Sequence, residues 1–361
     1  MKIAVVGAGQ IADAHIVEIS RIESAEVVSL CDLYESPLRA LQDKYAIPHV
    51  STDLGEVLTQ SAPDVVHITT PPSSHLAIAR QCLEAGAHVY VEKPLAVTFA
   101  ETKELLELAE RCGRLVCLGS NRIFASAQRT ALDKIHAGEI GPITHMDGLF
   151  SYDLKGIFGR QVLSNPEHWI ANLPGQLFKN NLNHPLAAIV PFLSDDLEIR
   201  AWADDWGGSG IVFDELRLEI IDRVNRRSAY IVFTSNVKPG AFRVSYFGRD
   251  KAIFLNNNAN TLIIDSPQRV PGMLGNILGI RHASKQLGRQ FRRRLRRFVF
   301  GGETFFTDLQ EMFRAFYASI ENNGSPPVPY SQILRAARIM DEMVNQIGRP
   351  VGKARNLGDA G

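Results

Sequence analysis

The chain opens with a short apolar run, Ile3–Val6, that breaks at Gly7-Ala8-Gly9-Gln10-Ile11-Ala12. This pattern suits a strand that turns sharply into a helix. Gly7 permits the tight turn, Gly9 lets backbone N–H groups approach an anion, and Ala12 lets helix and strand pack closely. A helix start also offers unpaired N–H groups and the positive end of its dipole. With Gln10 and Ile11, the turn is a candidate pyrophosphate cradle. A second apolar run, Glu26–Leu30, is followed by Asp32, an acid placed to accept hydrogen bonds from ribose hydroxyls and to repel a 2′-phosphate. The expected cofactor is therefore NAD, in preference to NADP.

The runs Val65–Thr69, His88–Val91 and Leu115–Leu118 continue the alternation of buried strand and helical segment. That alternation implies a parallel, doubly wound sheet, an α/β Rossmann domain over 1–120. Beyond Pro142 the texture changes. Ile143–Tyr152, Glu198–Trp206, Phe213–Ile221, Ala229–Thr234, Phe242–Phe247 and Leu262–Ile264 read as strands, several with period-two alternation and few helices between them. They imply an α+β domain over 121–361 with an open, mainly antiparallel sheet. Helices are expected at about Thr304–Asn322 and Tyr330–Ile347.

Lys plus Arg (39) balance Asp plus Glu (39), so the whole-chain charge argues for neither a nucleic-acid nor a membrane partner. Cys31, Cys82, Cys112 and Cys117 show no metal-ligand spacing, so no metal site is expected and the thiols read as reduced, as in the cytoplasm. The N-terminal apolar run is too short for a secretory signal, and no apolar stretch approaches the roughly 20 residues of a membrane span.

Further stretches resemble one family, the glucose–fructose oxidoreductase, inositol dehydrogenase and rhizopine-catabolism group of oxidoreductases. Thr70-Pro71-Pro72-Ser73-Ser74-His75 is similar to its T-P-P-x-x-H turn, and Glu92-Lys93-Pro94 to its E-K-P signature. Gly119-Ser120-Asn121-Arg122 and Gly138-Glu139-Ile140-Gly141 match further habits of the group. The resemblance implies a bound nicotinamide dinucleotide, a sugar or polyol substrate, and a second-domain sheet used in homodimer or homotetramer contacts. The same group includes dehydratases, NAD-using glycosidases and catalytically silent regulators, so fold does not fix the reaction.

Oxidation of a CH–OH group needs a hydride acceptor and a base for the hydroxyl proton. Lys93, following the strand His88–Val91, is the first catalytic candidate, because open α/β sheets bind ligands at the carboxyl ends of their strands. Its Pro94 is a candidate for a cis peptide. His184 is the second catalytic candidate. Gly175 to His184 resembles the group's G-G-x-x-x-D-x-G-x-H, with Asn180 where the Asp would stand. A neutral amide cannot raise the histidine pKa by charge, so His184 is expected to be more nearly neutral. Asn180, Asn181, His184 and Arg122 are expected at the substrate, and Thr70, Pro71, His75, Glu92, Lys93 and Asn121 at the cofactor. Pro185 suits the first position of a helix, and Pro191 should kink or end it.

One segment stands apart. Asn276–Phe300 carries eight Lys or Arg and no acid, and since the chain sums to zero the rest carries −8. Ile280, Leu287, Phe291, Leu295 and Phe298 recur at helical spacing. Four readings are open: a helix on an anionic membrane surface, a clamp for a phosphate-bearing substrate, a contact with an acidic neighbouring subunit, and a solvated helix packed by its apolar stripe. The substrate expected from all this is sugar-like, with a nucleotide-linked or lipid-linked sugar as the refinement.

Overall fold

The computed structural model describes residues 1–267, 270–301, 304 and 306–348. The chain divides into two units. Met1–Ser126 and Arg294–Ala337 make the first, Ala127–Arg293 and the chain from Arg338 the second.

The first unit is built on six strands: β1 (Lys2–Val6), β2 (Glu26–Cys31), β3 (His49–Ser51), β4 (Val65–Ile68), β5 (His88–Val91) and β6 (Val116–Leu118). Their order is β3-β2-β1-β4-β5-β6 and every pairing is parallel. Helices cover both faces of such a sheet, which is why β4, β5 and β6 are nearly continuous apolar runs and almost wholly buried. The order reverses at β1, which pairs with β2 on one side and β4 on the other, so a switch point lies between β1 and β4. Val6 pairs with Cys31 and Ile68, Ile68 with Val91, and Val91 with Leu118. The register therefore brings the segments that leave β1, β2, β4, β5 and β6 to one carboxyl edge.

Helix Thr307–Glu321 contributes Leu309, Met312, Phe313, Phe316 and Tyr317 to the core of this unit. Their spacing of three and four residues makes a single apolar stripe, which has to be buried somewhere. The first unit thus takes in more chain than the stretch 1–120.

The second unit carries seven strands: β7 (Ile143–Ser151), β8 (Leu197–Asp204), β9 (Glu215–Asp222), β10 (Arg227–Thr234), β11 (Phe242–Gly248), β12 (Ala252–Asn256) and β13 (Thr261–Asp265). The order is β13-β12-β11-β7-β10-β9-β8, antiparallel throughout except for the parallel pair β7–β10. Burial alternates along β9, with Leu216, Leu218 and Ile220 inside and Arg217, Glu219 and Ile221 on the more open face. The expected architecture, a parallel Rossmann sheet followed by an open, mainly antiparallel sheet, is the one observed. Strand β12 was not expected. Its Ile253 and Leu255 are buried, but Phe254 between them faces outward, so the alternation is masked by an apolar residue on the open side. Among the described residues, no helix is long and apolar enough to cross a membrane.

Candidate functional site

The turn after β1 is shaped by its glycines. Gly7 has φ +100°, and a Cβ on it would lie 3.0 Å from Thr69 and Thr70 at the end of β4. Thr69 Oγ1 donates to the carbonyls of Val6 (3.0 Å) and Gly7 (2.9 Å), which ties the two strand ends together. Gly9 is different: nothing lies within 4 Å of where its Cβ would be. Gly9 and Gln10 are exposed, Ile11 is half-buried, and Ala12 is buried beneath the turn. Helix Gln10–Ile19 begins at Gly9 without a side-chain cap, so its first N–H groups remain available beside that open space.

This contrast makes a prediction. Gly7→Ala places a side chain in a left-handed conformation against backbone and lowers stability by about 1–3 kcal/mol. Gly9→Ala leaves the melting temperature nearly unchanged but weakens dinucleotide binding by about tenfold or more, because the methyl group fills the space an anion needs. Calorimetric titration and thermal unfolding of both variants check this. Equal NAD affinity in Gly9→Ala and the wild type contradicts it.

Asp32 sits at the end of β2. Its Oδ2 accepts from the Ala8 N–H at 2.6 Å and its Oδ1 from the Tyr34 N–H at 2.9 Å. The carboxylate is fixed at the rim of the glycine turn, and each oxygen keeps a further lone pair for a hydroxyl donor.

After β4, Ser74 Oγ donates to Thr70 Oγ1 at 2.8 Å, and the exposed Pro71 leads into the short turn Pro72–Ser74. His75 is fully buried, with Nδ1 3.0 Å from the Pro94 carbonyl and Nε2 2.8 Å from the Thr70 carbonyl. Burial pushes its pKa down, against the pull of those carbonyls. The ring thereby joins the loops after β4 and β5. The Lys93–Pro94 peptide is cis.

Lys93 is half-buried at the end of β5. Burial lowers its pKa from the ordinary lysine value, and the neighbouring Glu92 charge works in the opposite direction. Burial works to raise the Glu92 pKa too, but the His15 hydrogen bond and the Lys93 charge outweigh it and hold the carboxyl below its ordinary value. Glu92 Oε2 also accepts from the Lys93 N–H at 3.3 Å.

Behind Glu92 runs a buried chain of polar groups that the sequence did not reveal. Glu92 Oε1 lies 3.2 Å from His15 Nε2, His15 Nδ1 lies 3.0 Å from His67 Nδ1, and His67 Nε2 lies 2.9 Å from Tyr317 Oη. Burial holds the His67 pKa well below the ordinary value. One set of donors and acceptors satisfies every contact: His15 Nε2–H donates to Glu92, His67 Nδ1–H to His15, and the Tyr317 hydroxyl to His67. Tyr90 stacks on His67 (4.7 Å, 11°) and Phe313 meets its edge (4.7 Å, 77°). The available signal was His67 itself, a polar residue inside the apolar run Val65–Ile68, which has to find partners once buried.

Tyr317→Phe removes the last donor and leaves His67 Nε2 buried without one. It should cost about 1–3 kcal/mol in denaturant unfolding. Because the folded His67 resists protonation, unfolding takes up a proton at low pH. Its contribution to stability is present above the ordinary histidine pKa of 6.5 and is lost as pH falls below it toward the folded value. Unfolding free energies unchanged by Tyr317→Phe contradict the network.

Asn121 and Arg122 open a short turn, Asn121–Phe124, after β6. Arg122, expected at the substrate, forms an ion pair with the nearly buried Asp308 (3.2 Å) on helix Thr307–Glu321.

In the second unit, Gly175 to His184 folds into two short helices, Gln176–Asn181 and Asn183–Ile189. His184 is half-buried and stacks on Phe150 of β7 (5.7 Å, 26°), with Phe242 of β11 at 6.2 Å. Asn180 and Asn181 are buried, and Asn181 Nδ2 donates to the Leu177 carbonyl one turn earlier at 2.9 Å. Pro185 is the third helical residue, not the first; its missing N–H still falls among those unpaired at a helix start. Pro191 lies in the turn Val190–Phe192 that closes the helix at Ile189. No group of three or more metal-ligating side chains occurs among the described residues.

The oxidoreductase family with an NAD-binding Rossmann fold matches residues 1–120, which span the whole of the carboxyl edge up to Ser120. Over residues 1–120 the chain is similar to this family. The chain is 33% identical over 147 residues to 4-carboxy-2-hydroxymuconate-6-semialdehyde dehydrogenase of Sphingobium, a stretch covering 41% of this chain and 46% of that protein. It is 31% identical over 144 residues to D-glucoside 3-dehydrogenase of Escherichia coli, covering 40% and 41%. The matched stretch thus spans less than half the length of these relatives. The fold is shared more widely. The WlbA dehydrogenase of Bordetella pertussis, solved with NADH and UDP-GlcNAcA, superposes with a TM-score of 0.75 at 16% identity over 96% of this chain and 95% of that one. The residues of this stretch fit NAD: an uncapped helix start, open space at Gly9 and a carboxylate fixed by two backbone N–H groups.

Proposed function

We propose that the protein is an NAD-dependent dehydrogenase that oxidises a CH–OH group of a sugar-like substrate, with Lys93 holding the substrate oxygen and taking its proton. The observation that carries this reading is the placement of Lys93 at the carboxyl edge, beside Glu92 and on the same edge as the Gly7–Ala12 turn. NAD, when bound, supplies the hydride acceptor. Gly9, Gln10 and Ile11 would hold its pyrophosphate and Asp32 its adenosine ribose, and Thr70, Pro71 and Asn121 would contact it from the loops after β4 and β6. Burial brings the Lys93 ammonium closer to releasing its proton, so that it can exchange protons with an alcohol. The Glu92 charge works in the opposite direction and favours the ammonium. His75 acts as a positioning residue, because it fixes the loop that presents Lys93.

In the second unit, His184 is the further proton-handling residue, and Asn180 offers an amide to sugar hydroxyls. A sugar-like substrate is supported by the names of relatives, among them D-glucoside 3-dehydrogenase and inositol 2-dehydrogenase, and a nucleotide-linked sugar by the UDP-GlcNAcA bound to the structural neighbour. Association into a homodimer or homotetramer is supported by Trp202, Tyr230 and Phe254, large apolar side chains exposed on the open face of the second sheet. Asn180, standing where the group has Asp, favours a second reading: a lyase or glycosidase that uses NAD transiently, or a non-catalytic regulator.

The test supplies the purified protein with NAD and a panel of polyols, aldoses, uronates and nucleotide sugars, and follows NADH by absorbance. Accumulation with one chemical class supports a dehydrogenase. Tight NAD binding with no reduction by any member of the panel overturns it.

A further inference from the structure

The basic segment forms a 28-residue helix, Gly272–Val299, about 42 Å long at 1.5 Å per residue. Only Gly275 and Gln286 of this helix are buried. Its attachment to the second sheet is polar. The side-chain amide of Gln286 exchanges two hydrogen bonds with the backbone of Ile264 (3.0 and 2.9 Å), and that of Gln290 does the same with Leu262 (2.9 and 2.6 Å). Two glutamines thus pair with edge strand β13 as a neighbouring strand would, and close an edge that would otherwise be open. No apolar side chain is needed for this contact.

The apolar residues point elsewhere. Wound at about 3.6 residues per turn, Met273, Ile277, Ile280, Phe291, Leu295 and Phe298 share a sector well away from Gln286 and Gln290. They are exposed, Met273 by 79%, Ile280 by 69%, Phe291 by 66% and Phe298 by 72%. The reading in which an apolar stripe packs the helix against the protein is therefore not what the structure shows. Arg281, Lys285, Arg292 and Arg296 are also exposed and lie along one flank of that sector, and the helix contains no acid.

We infer that this helix docks the protein on an anionic lipid bilayer, with the apolar sector entering the headgroup boundary and the basic flank meeting lipid phosphates. An apolar stripe of this length, kept out of the core and bordered by cations, has the chemistry of an interfacial helix. Charge selects the bilayer over a second copy of the chain packed helix to helix, because a symmetric pairing would bring two basic flanks together with no acid between them. Docking at a surface also suits a substrate whose sugar is carried on a lipid. That extension rests on the dehydrogenase reading, whereas docking itself does not.

The experiment is co-sedimentation of the full chain, without substrate, with vesicles of phosphatidylcholine alone or mixed with phosphatidylglycerol. Binding is expected only to the mixed vesicles and weakens as salt rises, since screening shortens to about 8 Å at physiological ionic strength. Replacing Arg281, Lys285, Arg292 and Arg296 together with Gln should weaken it on the order of 10³-fold. Replacing Phe291, Leu295 and Phe298 with Ser should also release the protein. Unchanged NAD binding in both variants shows that they are folded, and vesicle binding is read separately from any turnover. Equal binding to neutral and anionic vesicles, or none to either, overturns the inference. So does concentration-dependent self-association that the Ser variant abolishes while wild type ignores vesicles, which would assign the face to a second copy.

Discussion

Lys93→Ala is expected to lower kcat by about 10²- to 10⁴-fold, the usual range for loss of a positioned proton-transfer group, with NAD affinity and melting temperature close to wild type. The expectation follows from the position of Lys93 on the exit of β5. Its backbone N–H meets Glu92 at 3.3 Å, while Glu92 is held independently by His15 at 3.2 Å. Truncating the lysine therefore removes the ammonium but leaves the carboxylate partnered. Lys93→Met keeps the stem and its packing, and should be as inactive as Lys93→Ala if charge and proton are what matter. The pH profile gives a second readout. Alcohol oxidation requires the neutral amine, so the rate rises with pH through the Lys93 pKa, which burial places below the free-lysine value of 10.5. Glu92→Gln deletes the charge that pulls this pKa upward, and its rising limb should move to lower pH. A Lys93→Ala enzyme with wild-type turnover, or a limb unmoved by Glu92→Gln, contradicts the proton path.

Asp32→Ser is expected to erase most of the cofactor preference. In the wild type NAD should bind on the order of 10²-fold more tightly than NADP, because a 2′-phosphate would be brought against a fixed carboxylate. That repulsion is worth about 2–3 kcal/mol after solvent screening. Asp32 cannot easily swing away, since its two oxygens are tied to the Ala8 and Tyr34 N–H groups at 2.6 and 2.9 Å. Serine removes the charge and still offers a hydroxyl to the ribose, so the NAD to NADP ratio should fall toward one. Calorimetry giving the wild type equal or better affinity for NADP contradicts the role given to Asp32. In the variant, an undiminished NAD preference does the same.

The first domain was legible because its signals are local. Gly7, Gly9, Ala12 and Asp32 lie within the opening βαβ unit, and a parallel sheet delivers the ends of its strands to one edge whatever the helices between them contain. The long-range contacts were not legible. The spacing of Leu309, Met312, Phe313, Phe316 and Tyr317 announces a helix with one apolar face, but periodicity does not say which sheet that face will cover; it covers the first. Arg122 reads locally as a loop cation near a ligand, yet its partner Asp308 lies 186 residues away in sequence. His15 and His67 become a pair only when the first helix is laid on the strand at Val65–Ile68. Nor did the sequence show that the Asn181 amide donates to the carbonyl of Leu177, one turn earlier. The basic helix was legible as amphipathic, but whether its apolar stripe was buried or exposed required the fold.

The central claim is net hydride transfer from substrate carbon to NAD at the edge that carries Lys93. The most direct measurement uses a substrate identified from the panel, deuterated at the carbon to be oxidised, with NADH and product quantified together. A dehydrogenase yields one NADH per substrate consumed, with the label on the nicotinamide. Substrate consumed without NADH accumulating, and the deuterium returned to the product, would contradict the account and point to transient use of the cofactor.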